Sequence, residues 1–258
     1  MRARRGTVTI AALAIVLLAG TAAQAAEVLV AVAANFAEVI DQLAPEFTRH
    51  TGHSVQRTVG STGKLYAQIT SGAPFQVLLS ADVATPQRLE REHKAVSGTR
   101  FTYAIGGLAL WSPDPALFGT NGPAVLRAAT FRHLAIANPD LAPYGVAARE
   151  TMQALGLWEA LQSKIVMGEN IGQAHSMVAS GNAELGFVAL SALRSPRRRE
   201  TGSVWVVPQR LFSLIRQDAV LLAQGANSPA AREFLEYLRS PAAERVIETY
   251  GYLIDEKI

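Results

Sequence analysis

The chain has no cysteine among its 258 residues. That absence excludes disulfide cross-links, thiolate zinc sites, thiol catalysis and the lipidated cysteine of a membrane-anchored lipoprotein. Stability must come from packing, and a composition that is 49% hydrophobic supplies the material for it. Charge is sparse at 17% of residues, and the only dense run is Arg194-Ser195-Pro196-Arg197-Arg198-Arg199, whose Pro and following Gly202 predict a solvated loop. Catalytic signatures are missing as well. The histidines, His50, His53, His93, His133 and His175, form no H-E-x-x-H, and no G-x-S-x-G elbow occurs. His50 and His53 lack a third ligand nearby, so a metal site is not expected. The chain therefore does not read as an enzyme or as a holder of a cofactor.

No apolar run reaches the ~20 residues a membrane-spanning helix needs. The longest, Val8 to Ala19, follows Arg2, Arg4 and Arg5 and precedes the small residues Thr21 to Ala26. This order predicts a secretory signal peptide over residues 1–25, cleaved near Ala25-Ala26, and an exported, periplasmic mature chain. Cleavage would remove three of the 24 basic residues and none of the 21 acidic ones, leaving a formally neutral protein. Such a chain lacks the positive field on which nucleic-acid binding depends.

From Glu27 onward, short β-type runs alternate with amphipathic helical stretches, the pattern of parallel sheets covered by helices. Val28–Val32, Val55–Val59 and Gln76–Ser80 read as strands, with helices at Phe36–His50, Lys64–Ser71 and Pro86–Lys94. Phe101–Trp111 is a longer extended stretch broken by Gly106-Gly107. A second series follows, with strands at His133–Ala137, Lys164–Met167 and Glu184–Ala189 and helices at Gly145–Leu155 and Ile171–Ser180. Val204–Val207 and Leu214–Ala223 are extended, and helices at Pro229–Arg239 and Pro241–Tyr250 close the chain. The expected architecture is two α/β lobes, one discontinuous (26–107 plus 211–258) and one continuous (108–210). Extended crossovers near Ile105 and Phe212 would join them, and a cleft would lie outside the carboxyl ends of the strands.

Four loops connect a predicted strand to a predicted helix and carry small or hydroxyl side chains: Ala33-Ala34-Asn35, Gly60-Ser61-Thr62-Gly63, Asn138 to Gly145, and Glu169-Asn170-Ile171-Gly172. A helix start offers unpaired N–H groups and the positive end of the macrodipole, so it can receive an anion. The same residues also serve as ordinary helix caps. Gly60–Gly63 lacks the G-x-x-x-x-G-K-[ST] spacing of a nucleotide loop, and Asp82 reads as a turn or helix cap.

At these loops the sequence resembles the periplasmic molybdate-binding proteins (ModA) of ABC importers. The stretches that carry the resemblance are Val30–Phe36, Gly60–Ile69, Gly72–Asp82, Ala137–Gly145, Gly168–Ala174 and Ala183–Ala189. The resemblance implies a type II periplasmic binding protein, monomeric, that binds molybdate or tungstate and delivers it to a membrane permease. Carried over position by position, the ligand-binding residues would be Asn35, through its side chain and adjoining amides including Ala34, then Ser61, Thr62, the Tyr144 amide and the Ile171 amide. Molybdenum would be held as its oxyanion, with no protein atom bonded to the metal. Some family members have Ser at positions 35 and 62 and a binding Tyr at 189. Here these are Asn35, Thr62 and Ala189, and Tyr144 is expected to supply the phenol that Ala189 lacks. The alternatives are a binder of another oxyanion, such as sulfate or thiosulfate, and a periplasmic phosphoryl-transfer hydrolase.

Overall fold

A computed structural model describes residues 25–198 and 200–254; the expected signal peptide lies almost wholly outside them. No helix among the described residues is long and apolar enough to cross a membrane. The first β/α series comprises β1 (Glu27–Ala33), a 3-10 turn (Ala34–Phe36), α1 (Ala37–Thr51), β2 (Ser54–Gly60), α2 (Thr62–Thr70), β3 (Val77–Leu79), α3 (Ala84–Arg91) and β4 (Phe101–Gly106). The second comprises β5 (Leu108–Ser112), α4 (Gly122–Ala128), β6 (Leu134–Ala137), α5 (Pro143–Ala154), α6 (Trp158–Leu161), β7 (Ile165–Gly168), α7 (Ile171–Ala179), β8 (Leu185–Ala189), α8 (Leu190–Leu193) and β9 (Ser203–Val206). The chain ends with β10 (Ile215–Leu221), α9 (Pro229–Leu238) and α10 (Pro241–Thr249).

The strands form two five-stranded mixed sheets, ordered β2-β1-β3-β10-β4 and β7-β6-β8-β5-β9. Each has three parallel strands followed by two joined antiparallel. The antiparallel strand next to the parallel set is in each case one that has just crossed between sheets: β5 follows β4 through Gly107, and β10 follows β9. The chain thus passes twice between two α/β lobes, as expected.

Alternation along the strands builds two layers of core in the first lobe. Val28, Val30, Val32, Val77, Leu79, Ala219 and Leu221 face α1, α9 and α10, where they meet Phe36, Ile40, Phe47 and Phe234. Their neighbours Ala31, Leu78, Val220 and Leu222 face the other way, onto Leu65, Ile69 and Leu89. Period-two side chains on a sheet covered on both faces require this near-continuous apolar run. The helix boundaries follow local chemistry. Ser61, Asn121, Asn170, Ser228 and Ser240 cap α2, α4, α7, α9 and α10 by accepting an amide proton from the first turn, and α1 stops at Gly52, which is in the left-handed region at φ +76°.

Candidate functional site

The four loops singled out in the sequence follow β1, β2, β6 and β7, at the carboxyl ends of parallel strands in both sheets, and they meet between the lobes. Ala34, Asn35, Ser61, Thr62, Tyr144 and Ile171 all line one small cavity, with Ala33, Gly60, Ala81, Ala142, Pro143 and Asn170. No Asp, Glu, Lys, Arg or His lines it. Its volume is about 10 Å³, the size that just admits one water. Two larger grooves, about 480 and 350 Å³, flank it and bring in Asp82, Glu150 and Arg216 on one side and Glu38, His175 and Arg198 on the other. The small cavity gathers all six expected residues, whereas the first groove shares Thr62 and the second Ala34, Asn35 and Ile171.

Capping and donation coexist at the helix starts. In α2, Ser61 Oγ accepts from Lys64 N at 3.4 Å and Leu141 O accepts from Gly63 N at 2.9 Å. The helix offers no carbonyl to the amide of Thr62. In α7, Asn170 Oδ1 accepts from Gln173 N at 3.1 Å, and the Ile171 and Gly172 amides precede the first intrahelical bond. In α5, Pro143 has no N–H, so Tyr144 carries the first free amide. Thr62 Oγ1 accepts from the Ala81 amide at 3.2 Å. A hydroxyl that accepts in this way retains its own proton for donation. The cavity therefore presents donors from both lobes.

Side chains depart from expectation at two places. Asn35 Nδ2 donates to Gln217 Oε1 at 2.7 Å and to Tyr252 Oη at 2.9 Å. With both amide protons engaged there, the donors this loop has left are the backbone amides of Ala34 and Asn35. The Tyr144 hydroxyl accepts from Gln217 Nε2 at 3.2 Å, so it is held at the crossover strand, while Ala189 lines the 350 Å³ groove. Tyr252 Oη donates to Asn35 O at 2.8 Å and lies 3.0 Å from Ser191 Oγ. Burial pushes the Tyr103 and Tyr144 phenols well above their ordinary range and Tyr252 up to about 12. All three stay protonated at neutral pH and add no negative charge. Gln217, Tyr252 and Ser191 were not singled out in the sequence. The signal for Gln217 is a polar run, Arg216-Gln217-Asp218, inside an otherwise apolar strand.

The lobes touch directly around the cavity. A β-carbon on Gly63 would stand 3.2 Å from Leu141 O, so a larger second residue in α2 would press on the facing loop. Lys64 Nζ lies 2.9 Å from Glu169 Oε2, Ser191 Oγ donates to Asn35 O at 3.2 Å, and Arg198 pairs with Glu38. The arginine run is thus not wholly solvated: Arg198 reaches across the cleft, and the Arg194 side chain packs where a β-carbon on Gly251 would fall. Asp82 lies outside the small cavity and acts as a local cap, accepting from Thr85 N at 2.8 Å; burial raises its carboxyl above the usual range. His53 accepts from Ala26 N at 3.1 Å and faces Glu233, while His50 Nδ1 meets Glu46 O. No group of three or more His, Cys, Asp or Glu that could hold a metal occurs among the described residues.

Two α/β lobes, two crossovers and a donor-lined cavity between them define a solute-binding protein. Over residues 28–253 the chain matches the bacterial extracellular solute-binding protein family. The molybdate-binding protein ModA of Azotobacter vinelandii is 52% identical over 243 residues, 94% of this chain and 96% of that protein. ModA of Rhodobacter capsulatus is 47% identical, covering 95% of each. The solved structure of an Azotobacter vinelandii periplasmic molybdate-binding protein superposes with a TM-score of 0.85 at 41% identity, covering 88% of this chain and 99% of that one. The chain belongs to the ModA group of the bacterial extracellular solute-binding protein family.

Proposed function

We propose that this protein is the periplasmic binding subunit of an ABC importer that captures molybdate, and equally tungstate, and presents it to a membrane permease. The observation that carries the reading is the cavity at four helix starts, lined by donors and by no charged side chain. A fully deprotonated dianion accepts hydrogen bonds on every oxygen and donates none, and bonds to a charged group are roughly twice as strong as neutral ones. Monoprotonated phosphate would bring an O–H with no carboxylate to receive it, and an unpaired buried donor costs about 1–3 kcal/mol. Sulfate has the right charge but is smaller, so donors fixed by the lobes around a larger anion contact it poorly.

The proposed ligand set is the amides of Ala34, Asn35, Tyr144 and Ile171 with the hydroxyls of Ser61 and Thr62, and molybdenum makes no direct bond to protein. The lobes divide after Gly107 and Arg210, the mature chain starts near Ala26, and it works as a monomer that binds and does not catalyse. Calorimetry of the mature chain with molybdate, tungstate, sulfate and phosphate tests the reading. Tungstate should match molybdate, with sulfate and phosphate far weaker. Sulfate or phosphate binding as tightly as molybdate would overturn it.

A further inference from the structure

Gln217 lies on β10, the strand by which the chain returns to the first lobe, and it is fully buried. Its amide touches one cavity loop from each lobe: Oε1 accepts from Asn35 Nδ2 at 2.7 Å, and Nε2 donates to Tyr144 Oη at 3.2 Å. Tyr103 Oη, 3.2 Å from Oε1, fixes the same oxygen from β4. A register shift between Gln217 and Asp218 in the pairing of β10 with β4 lets two successive polar side chains both be buried, Asp218 on Arg100 and Thr102 and Gln217 on the cleft side. The other crossover is shaped to this group. A β-carbon on Gly106 would overlap Tyr144 Oη and stand 2.6 Å from Gln217 Nε2.

A buried amide hydrogen-bonded at both ends is costly to leave half-satisfied. If the lobes part at the cavity, Gln217 stays with one loop and loses the other. We propose that Gln217 is a positioning residue that holds the two lobes in register around the cavity, and that its amide keeps this junction free of negative charge beside a bound anion. The second half rests on the oxyanion reading above; the first does not. The choice of amide over carboxylate is informative because a glutamate has the same shape. It would replace the Nε2 donor by an acceptor, reverse the bond to Tyr144 and place an ionisable group among phenols that all stay protonated.

The test uses the absence of cysteine. Gln153 on α5 and Glu236 on α9 are exposed, one in each lobe, so the pair Gln153→Cys and Glu236→Cys accepts two spin labels without competing thiols. Pulsed dipolar spectroscopy on the ligand-free protein should show the compact, short-distance population reduced at least about threefold in Gln217→Leu, with Gln217→Met used if the leucine variant does not fold. By calorimetry, Gln217→Glu should bind molybdate about 10- to 150-fold more weakly at pH 8, because a carboxylate would then stand behind the cavity and repel the bound dianion. Part of that loss should return at pH 5.5 as the carboxyl protonates, whereas the parent changes less than about twofold. Superimposable distance distributions would overturn the positioning role whether or not molybdate binds. Parent-like, pH-independent affinity in Gln217→Glu would overturn the charge role. A parent protein that binds no molybdate would instead sink the oxyanion reading and leave the distances to decide Gln217.

Discussion

Thr62→Val removes one hydroxyl at nearly constant volume, and the structure separates its two consequences. The Thr62 oxygen accepts from the Ala81 amide at 3.2 Å in a site where Ala81 is buried. Valine orphans that N–H, which should cost about 1–3 kcal/mol of stability. For a protein of this size, a melting point falls by about 2–4 °C per kcal/mol, so a drop of several degrees is expected. The hydroxyl proton is the one proposed to reach the ligand, and losing a hydrogen bond to a charged group is worth about 1.5–3 kcal/mol, or about 10- to 150-fold in Kd. Thr62→Ser keeps both functions and should stay within about threefold of the parent. Calorimetry at 25 °C, where all three proteins are folded, reads affinity, and differential scanning calorimetry without ligand reads stability. A valine variant that melts lower yet binds molybdate like the parent would refute the ligand role and reduce Thr62 to a cap for Ala81.

Three further outcomes are expected. Lys64→Ala breaks the ion pair to Glu169 across the cleft; both side chains are partly exposed, so the pair contributes at most about 1 kcal/mol. Molybdate Kd should rise less than about fivefold in 20 mM salt and not at all in 0.5 M, where screening has already removed the contribution; the check is a salt titration of both proteins. Phe234→Ala empties a fully buried ring site that packs edge-on against Phe47, which should cost about 3–5 kcal/mol in urea unfolding while leaving the affinity of the folded fraction unchanged. His175 is buried, stacked on Trp111 with ring centroids 5.0 Å apart, and burial holds its pKa below the ordinary value, partly offset by Glu200. The unfolded chain then binds this proton more readily than the folded one, so stability should fall as pH drops below about 6.5. His175→Phe should flatten that slope in a series of melts from pH 8 to 5.

The elements that could be read from sequence were those with a period long enough to show. Strands such as Val28–Val32 are apolar on both faces, and α1 and α9 carry an apolar stripe ended by glycine or begun by a Ser-Pro pair. The four-residue helices α6 and α8 are too short for any period, and α4 is built on Gly122-Pro123 between loops, so none of the three was expected. The loops of the site were legible because a helix start after a buried strand has unpaired amides whatever the tertiary structure. Side-chain direction was not. Asn35 was expected to aim its amide at the ligand, but its choice depends on Gln217 and Tyr252, 182 and 217 residues away in sequence. A hydrogen bond of such separation leaves no local trace. The same holds for Arg198, whose partner Glu38 lies on the other lobe.

The absence of charge from the cavity and the division of donors between lobes bear on one another. An arginine would hold an anion through its own guanidinium even with the cleft open, and release would then have to overcome that bond. Neutral amides at helix starts bind strongly only where water is excluded and several converge. Here the first lobe contributes the loops at Ala34–Asn35 and Ser61–Thr62, and the second those at Tyr144 and Ile171. With the ligand set proposed above, opening the lobes would remove half the donors and readmit water to the remainder, so affinity would be coupled to closure. A partner that holds the lobes apart lowers affinity by as much as ligand favours closure, since such coupling is reciprocal. On the proposed ligand set, a protein that captures an anion and hands it on would release it by parting its lobes, since no charged side chain lines the cavity to hold the anion once they separate.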